Sequence, residues 1–191
     1  MEQIREDIIT VITSIGAMNI RWLAIGDFSL YLLNIERLSN ILEILVSPAD
    51  HEKLHNVFSS IFDIIHRIMT FESHYYAGKI SAYMTKNGLI VKIISDLIIK
   101  MGRSTIPMQF TLLVRNSKDF PFHGHKILVP PLEWIFVYYF ANPFQRNLTE
   151  RILKKMSNVG INFILLDEIL KFAHEREKKK VLEFIKKRLE K

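Results

Sequence analysis

The sequence predicts a mixed α/β (α+β) fold over residues 1–129, with a C-terminal helical bundle over residues 130–191 packed on it. Three observations carry this expectation. Short aliphatic runs alternate with stretches of helical period through the first two-thirds of the chain. Two apolar runs flank Lys86-Asn87-Gly88, and Asn-Gly favours the positive φ angles of a tight hairpin turn. After Pro130-Pro131 the helical period takes over and continues to the end.

Taken in order, residues 2–15 place apolar side chains at 4, 8, 11, 12 and 15, one face of a helix, with Gly16 where a glycine cap belongs. Residues 20–25 form a short buried strand, and residues 27–34 a short helix behind Gly26. Residues 41–46 read as a second buried strand. Pro48-Ala49-Asp50 opens a helix through about residue 62. Residues 64–71, 79–85 and 89–95 are strands, the last two joined by the hairpin. Residues 109–114 and 126–129 are shorter strands, and turns near Asn142-Pro143 and residues 158–160 divide the helical portion.

Composition narrows the class. In 191 residues, 49% apolar and 24% charged side chains are ordinary for a globular domain and exclude a disordered chain. The absence of cysteine excludes a disulfide framework, thiolate metal sites and thiol nucleophiles. No apolar run is long enough to span a bilayer, and residues 1–10 mix acids with bases where a signal peptide would have a basic cap and an apolar run. The expectation is a cytoplasmic protein with no membrane partner. Much of the net charge of +6 lies in residues 175–191, where Val181, Leu182, Ile185 and Leu189 recur at helical spacing among lysines. That pattern is a solvated amphipathic helix, with nucleic-acid binding by its basic face as the alternative.

One stretch carries a more specific pattern. Ala24-Ile25-Gly26-Asp27-Phe28-Ser29-Leu30 is followed by Arg37-Leu38-Ser39-Asn40-Ile41-Leu42-Glu43-Ile44. It resembles the signature of the small nucleotidyltransferases of the polymerase-beta-like superfamily, toxin-type members included. In these a strand ends in a glycine-rich turn before a helix, and Arg-x-Thr-x-Asp-x-Asp leads into a second strand. Gly26 matches the first turn glycine, Asp27 replaces the second, Ser29 takes the small-residue position, and Arg37 and Ser39 match the Arg and Thr. The two catalytic aspartates fall on Ile41 and Glu43. A third family carboxylate falls on Lys92, within Ile90-Val91-Lys92-Ile93-Ile94-Ser95-Asp96. Pro130-Pro131-Leu132-Glu133-Trp134 is similar to the Pro-Glu-led helix that follows the sheet in many members.

The resemblance implies a nucleotidyltransferase fold with a degenerate catalytic motif. Carboxylates one residue apart on a strand share a face, which is how Asp-x-Asp holds Mg²⁺ among hard oxygen ligands. Here Ile41 offers no ligand, Glu43 keeps a charge one methylene further out, and Lys92 brings a cation. The implied protein is a pseudoenzyme without a cofactor, binding a nucleotide or a partner through the remnant cleft. Gly26, Ser29, Arg37 and Ser39 would bind the nucleotide, and Glu43 would stand at the old metal position. Two alternatives stand beside it. One is an active, Mg²⁺-dependent nucleotidyltransferase using Glu43 and another acid, Asp50 or Asp96. The other is a non-catalytic interaction module or homo-oligomer using its apolar C-terminal helices.

Other motifs read as structural. His123-Gly124-His125 fits an exposed loop, with no third ligand nearby. His51-Glu52-Lys53-Leu54-His55 fits the bare His-Glu-x-x-His pattern, but no downstream ligand follows it, and the expectation is surface residues at a helix start. Gly102-Arg103-Ser104 lacks phosphate-loop spacing. Trp134, Phe136, Tyr138, Tyr139 and Phe140 fit core packing better than base stacking. Arg103, Arg115 and Arg146 are candidate phosphate contacts with nothing local to fix them.

Overall fold

The computed structural model describes residues 2–190 and divides into two compact units. The first comprises residues 2–71, 78–96 and 110–130, the second residues 72–77, 97–109 and 131–190. Helix α1 (Glu2–Ala17) buries Ile8, Val11, Ile12 and Ile15. Strand β1 (Trp22–Ile25) passes directly into α2 (Gly26–Leu32). Then come β2 (Ile41–Val46) and α3 (Pro48–Ile61), which buries His51, Leu54 and Phe58. Strands β3 (Asp63–Glu72), β4 (Tyr76–Met84) and β5 (Ile90–Met101) complete the main path.

The sheet order is β1-β2-β5-β4-β3, with β1 and β2 antiparallel and β2 and β5 parallel. Fully buried Leu42, Ile44 and Leu45 on β2 and Val91 and Ile93 on β5 make these two strands the buried centre. Asn87 and Thr85 tie the hairpin back to α1: both donate to the carboxylate of Asp7, Asn87 at 2.8 Å. Helix α4 (Phe110–Asn116) and the hairpin of β7 (Lys118–Phe122) and β8 (His125–Val129) close the first unit.

In the second unit the far end of β5 pairs antiparallel with β6 (Ser104–Pro107) around Gly102, whose φ is +60°. Helices α5 (Leu132–Phe140), α6 (Arg146–Val159), α7 (Phe163–Ile169) and α8 (Glu175–Leu189) follow. Trp134, Ile135, Phe136, Val137 and Tyr139 are buried, so most of the aromatic run is core. Buried Glu133 accepts a hydrogen bond from the backbone N–H of Asn162 at 2.8 Å, holding the start of α7 to α5. No helix among the described residues is long and apolar enough to cross a membrane.

The mixed α/β class is as expected, and three local expectations change. Residues 109–114 form α4 and not a strand. Phe110, Leu113 and Val114 fit a helical face as well as a strand in so short a run, and Asn116 and Ser117 donate back to the carbonyls of Leu112 and Leu113, completing the helix. Helix α1 continues through Gly16 to Ala17, and the left-handed residue behind it is Asn19 at φ +53°. Strands β6 and β7, too short to show a period, were not expected.

Candidate functional site

Of the positions matched by sequence, Gly26, Glu43 and Lys92 come together in the first unit. In the strand register Ile25 stands opposite Glu43 and Glu43 opposite Lys92, so three strands bring these residues side by side. The chain leaves β1 at Ile25 and turns into α2 at Gly26, which takes φ +59°. The carboxylate of Glu43 lies on this turn: a Cβ at residue 26 would stand 1.7 Å from Glu43 Oε2. Only glycine offers both that φ and that space.

The other oxygen of Glu43 receives the ammonium of Lys92. Lys92 Nζ lies 3.2 Å from Oε1, with the two side chains 32% and 19% exposed. The pair is therefore partly screened from water yet open on one side. Glu43 thus touches the turn glycine through one oxygen and a cation through the other.

The neighbouring matches play distinct roles. Ser29 is buried and donates to the carbonyl of Gly26 at 2.7 Å, bracing the turn. The hydroxyl of Ser39 accepts from the backbone N–H of Ile41 at 3.1 Å, at the entrance to β2. Arg37 is exposed in the loop between α2 and β2, and Ile41 is half-buried at the start of its strand.

Asp50 and Asp96 are engaged elsewhere. Ser47 caps α3 by accepting from the backbone N–H of Asp50 at 3.2 Å, and it donates to the Asp50 carboxylate at 2.7 Å. Partial burial pushes the Asp50 pKa up, but the bonds from Ser47 and Lys53 and the Lys53 charge outweigh it, so the net shift is downward. Asp96 sits in β5 at φ +51° and pairs with Lys79 at 3.3 Å. Among the described residues, no group of three His, Asp or Glu side chains is placed to hold a metal ion.

The His51/His55 pair belongs to a different arrangement. His51 is buried, with Nδ1 2.7 Å from Ser95 Oγ and Nε2 2.9 Å from Ser81 Oγ. Tyr83 donates to Ser81 at 3.2 Å and lies 2.5 Å from His55 Nδ1. Burial lowers the pKa of His51 to about 4, helped by His55 and Lys79 and opposed by Asp96. His51 is thus a core residue and not the surface residue expected, because both ring nitrogens are satisfied by serines of the sheet, and the His-Glu-x-x-His spacing does not present two ligands to a metal here. Sequence reasoning missed Ser81, Tyr83 and Ser95. The signal was a serine inside each of two apolar strands, since a buried hydroxyl needs a partner.

The remaining candidates are scattered. His123 lies exposed in the β7–β8 turn at φ +45°, with His125 opening β8. Arg103 is exposed in the β5–β6 turn, and Arg115 lies in the last turn of α4. Arg146 pairs with Glu150 at 3.6 Å and its guanidinium stands 5.8 Å from the Phe184 ring centroid.

Comparisons with known proteins divide sharply between sequence and structure. No family model matches the chain, and no curated protein matches it. Solved structures do. A protein of Thermotoga maritima assigned to the nucleotidyltransferases matches with a TM-score of 0.61 at 16% identity, covering 81% of this chain and 92% of its own. An antigenic nucleotidyltransferase-like protein from Paracoccidioides brasiliensis matches with a TM-score of 0.56 at 12% identity, covering 100% and 90%. ANT(2″)-Ia in complex with adenylyl-2″-tobramycin matches with a TM-score of 0.54 at 10% identity, covering 90% and 98%. The chain has the nucleotidyltransferase fold.

Proposed function

We propose that this nucleotidyltransferase-fold chain binds a nucleotide without metal and no longer performs metal-dependent nucleotidyl transfer. One observation carries the reading: the ammonium of Lys92, 3.2 Å from Glu43 at the centre of the matched site. Of the three positions that match family acids, one is aliphatic, one is a carboxylate and one is a cation. The residues present do not fit Mg²⁺, which takes hard oxygen ligands in near-octahedral geometry. A divalent ion would meet a single carboxylate already paired with the Lys92 ammonium.

The same geometry suits a phosphate. Lys92 is partly exposed and supplies positive charge where the metal would otherwise meet the phosphates. Ser29 and Ser39 hold the turn and the strand entrance, and Arg37 stands exposed on the intervening loop. A genuine transferase built on Glu43 needs a second acid, and of the two candidates Asp50 is committed to Ser47 with Lys53 and Asp96 to Lys79. One structural neighbour was solved in complex with adenylyl-2″-tobramycin, which makes adenine nucleotides the first ligands to test.

The test is a thermal-shift titration of ATP, CTP, GTP and UTP, each in EDTA and in Mg²⁺. A ligand that binds only the native state raises the melting temperature. The expected result is stabilisation in EDTA that Mg²⁺ does not improve. Stabilisation only with Mg²⁺ would restore the enzyme reading, and no shift in any condition would favour an interaction module.

A further inference from the structure

Strand β3 ends the sheet path, and its burial is unlike that of any other strand in that sheet. Eight of its ten residues are exposed and two are half-buried, so neither face is covered. The opposite edge strand, β1, is fully buried and lies against β8. Yet β3 carries Ile64, Ile65, Ile68, Met69 and Phe71, with Ile64, Ile65 and Met69 between 40% and 48% exposed, and Ile61 just before it is 51% exposed. An edge with apolar side chains and unpaired backbone groups is a template for another strand. The strand has no proline, glycine or lysine to block such pairing.

Charge identifies the occupant. Asp63, Ile65 and Arg67 alternate along one face of the strand, with opposite charges two positions either side of Ile65. Laid antiparallel against itself about Ile65, the strand sets Asp63 of each copy opposite Arg67 of the other, and Ile65 opposite Ile65. Ile64 then faces His66. We propose that β3 pairs with β3 of a second copy of this chain, antiparallel and centred on Ile65, giving a closed twofold dimer. Two ion pairs then flank the apolar centre, and opposite charges facing each other across strands favour that register. Pairing of this kind does not depend on nucleotide binding.

The chain contains no cysteine, so Ile65→Cys introduces the sole thiol. In this register the two residues 65 would have Cα atoms about 4.5–5.5 Å apart, within the span of roughly 4.4–6.8 Å that a disulfide bridges. Under mild oxidation I65C is expected to form a covalent dimer, whereas M69C, about eight residues out of register with its own copy, is not. Light scattering after size exclusion is expected to show a dimer for the wild type. D63R and R67D singly should weaken it about tenfold, and the D63R/R67D double exchange should restore it. These side chains are exposed, and circular dichroism checks that each variant is folded. A wild type that stays monomeric at every concentration with no I65C cross-link would overturn the proposal. So would cross-linking of M69C, open-ended oligomers, or a double exchange that stays as weak as the single variants.

Discussion

Lys92 stands directly opposite Glu43 in the parallel β2–β5 pair, its ammonium 3.2 Å from the carboxylate, and the same carboxylate rests on the α-carbon of Gly26. Two residues from two other segments of the chain are thus held by the Glu43 side chain. The cation both satisfies a half-buried acid and places positive charge at the sheet centre, so replacing it tests structure and chemistry together.

Replacing Lys92 by Asp would set two carboxylates side by side. At a few ångströms and an effective dielectric of about 20, like charges repel by roughly 4 kcal/mol before relaxation. K92D is expected to be less stable than the wild type in EDTA and to regain stability with Mg²⁺. The readout is the melting temperature with and without the ion; the wild type should show no such dependence.

Gly26→Ala should destabilise the fold by about 1–3 kcal/mol, because alanine is strained at φ +59° and its methyl group would displace the Glu43 carboxylate. Urea denaturation measures this directly. Adding Glu43→Ala to Gly26→Ala should recover part of the loss, since the clash is removed while the backbone strain stays. Additive losses would show that the carboxylate does not occupy that space.

His51 makes stability depend on pH in a definite direction. Its pKa falls from 6.5 to about 4 on folding, so the unfolded chain takes up a proton first as pH drops. The contribution is complete well above pH 6.5 and is lost progressively down to about pH 4, by roughly 3–4 kcal/mol in all. His51→Gln removes the titrating group, so its stability should fall less steeply over that window. Chemical denaturation at pH 7, 6 and 5 compares the slopes.

The sequence carried the fold further than it carried the chemistry. Glycine at 26, Arg37, Ser39 and the aliphatic strands around Glu43 and Lys92 followed a recognisable order, and the structure places Glu43 and Lys92 side by side. What their spacing could not give was the contact itself, because register between β2 and β5 joins residues 49 apart. Residues 109–114 were misread for the opposite reason: their period was visible but too short to separate a helix from a strand. The serines that bind His51 come from β4 and β5, 30 and 44 residues away, so no local pattern around His51 announces them. Edge exposure of β3 was equally hidden, since an apolar run reads the same in the middle of a sheet and at its border.

Calorimetric titration of ATP in EDTA into the wild type and Lys92→Ala tests most directly whether Lys92 takes the place of a metal. The account predicts measurable binding to the wild type that weakens at least about tenfold, roughly 1.4 kcal/mol, in the variant, with both proteins folded by circular dichroism. Equal affinity in the two proteins, or binding by the wild type only once Mg²⁺ is added, would contradict it.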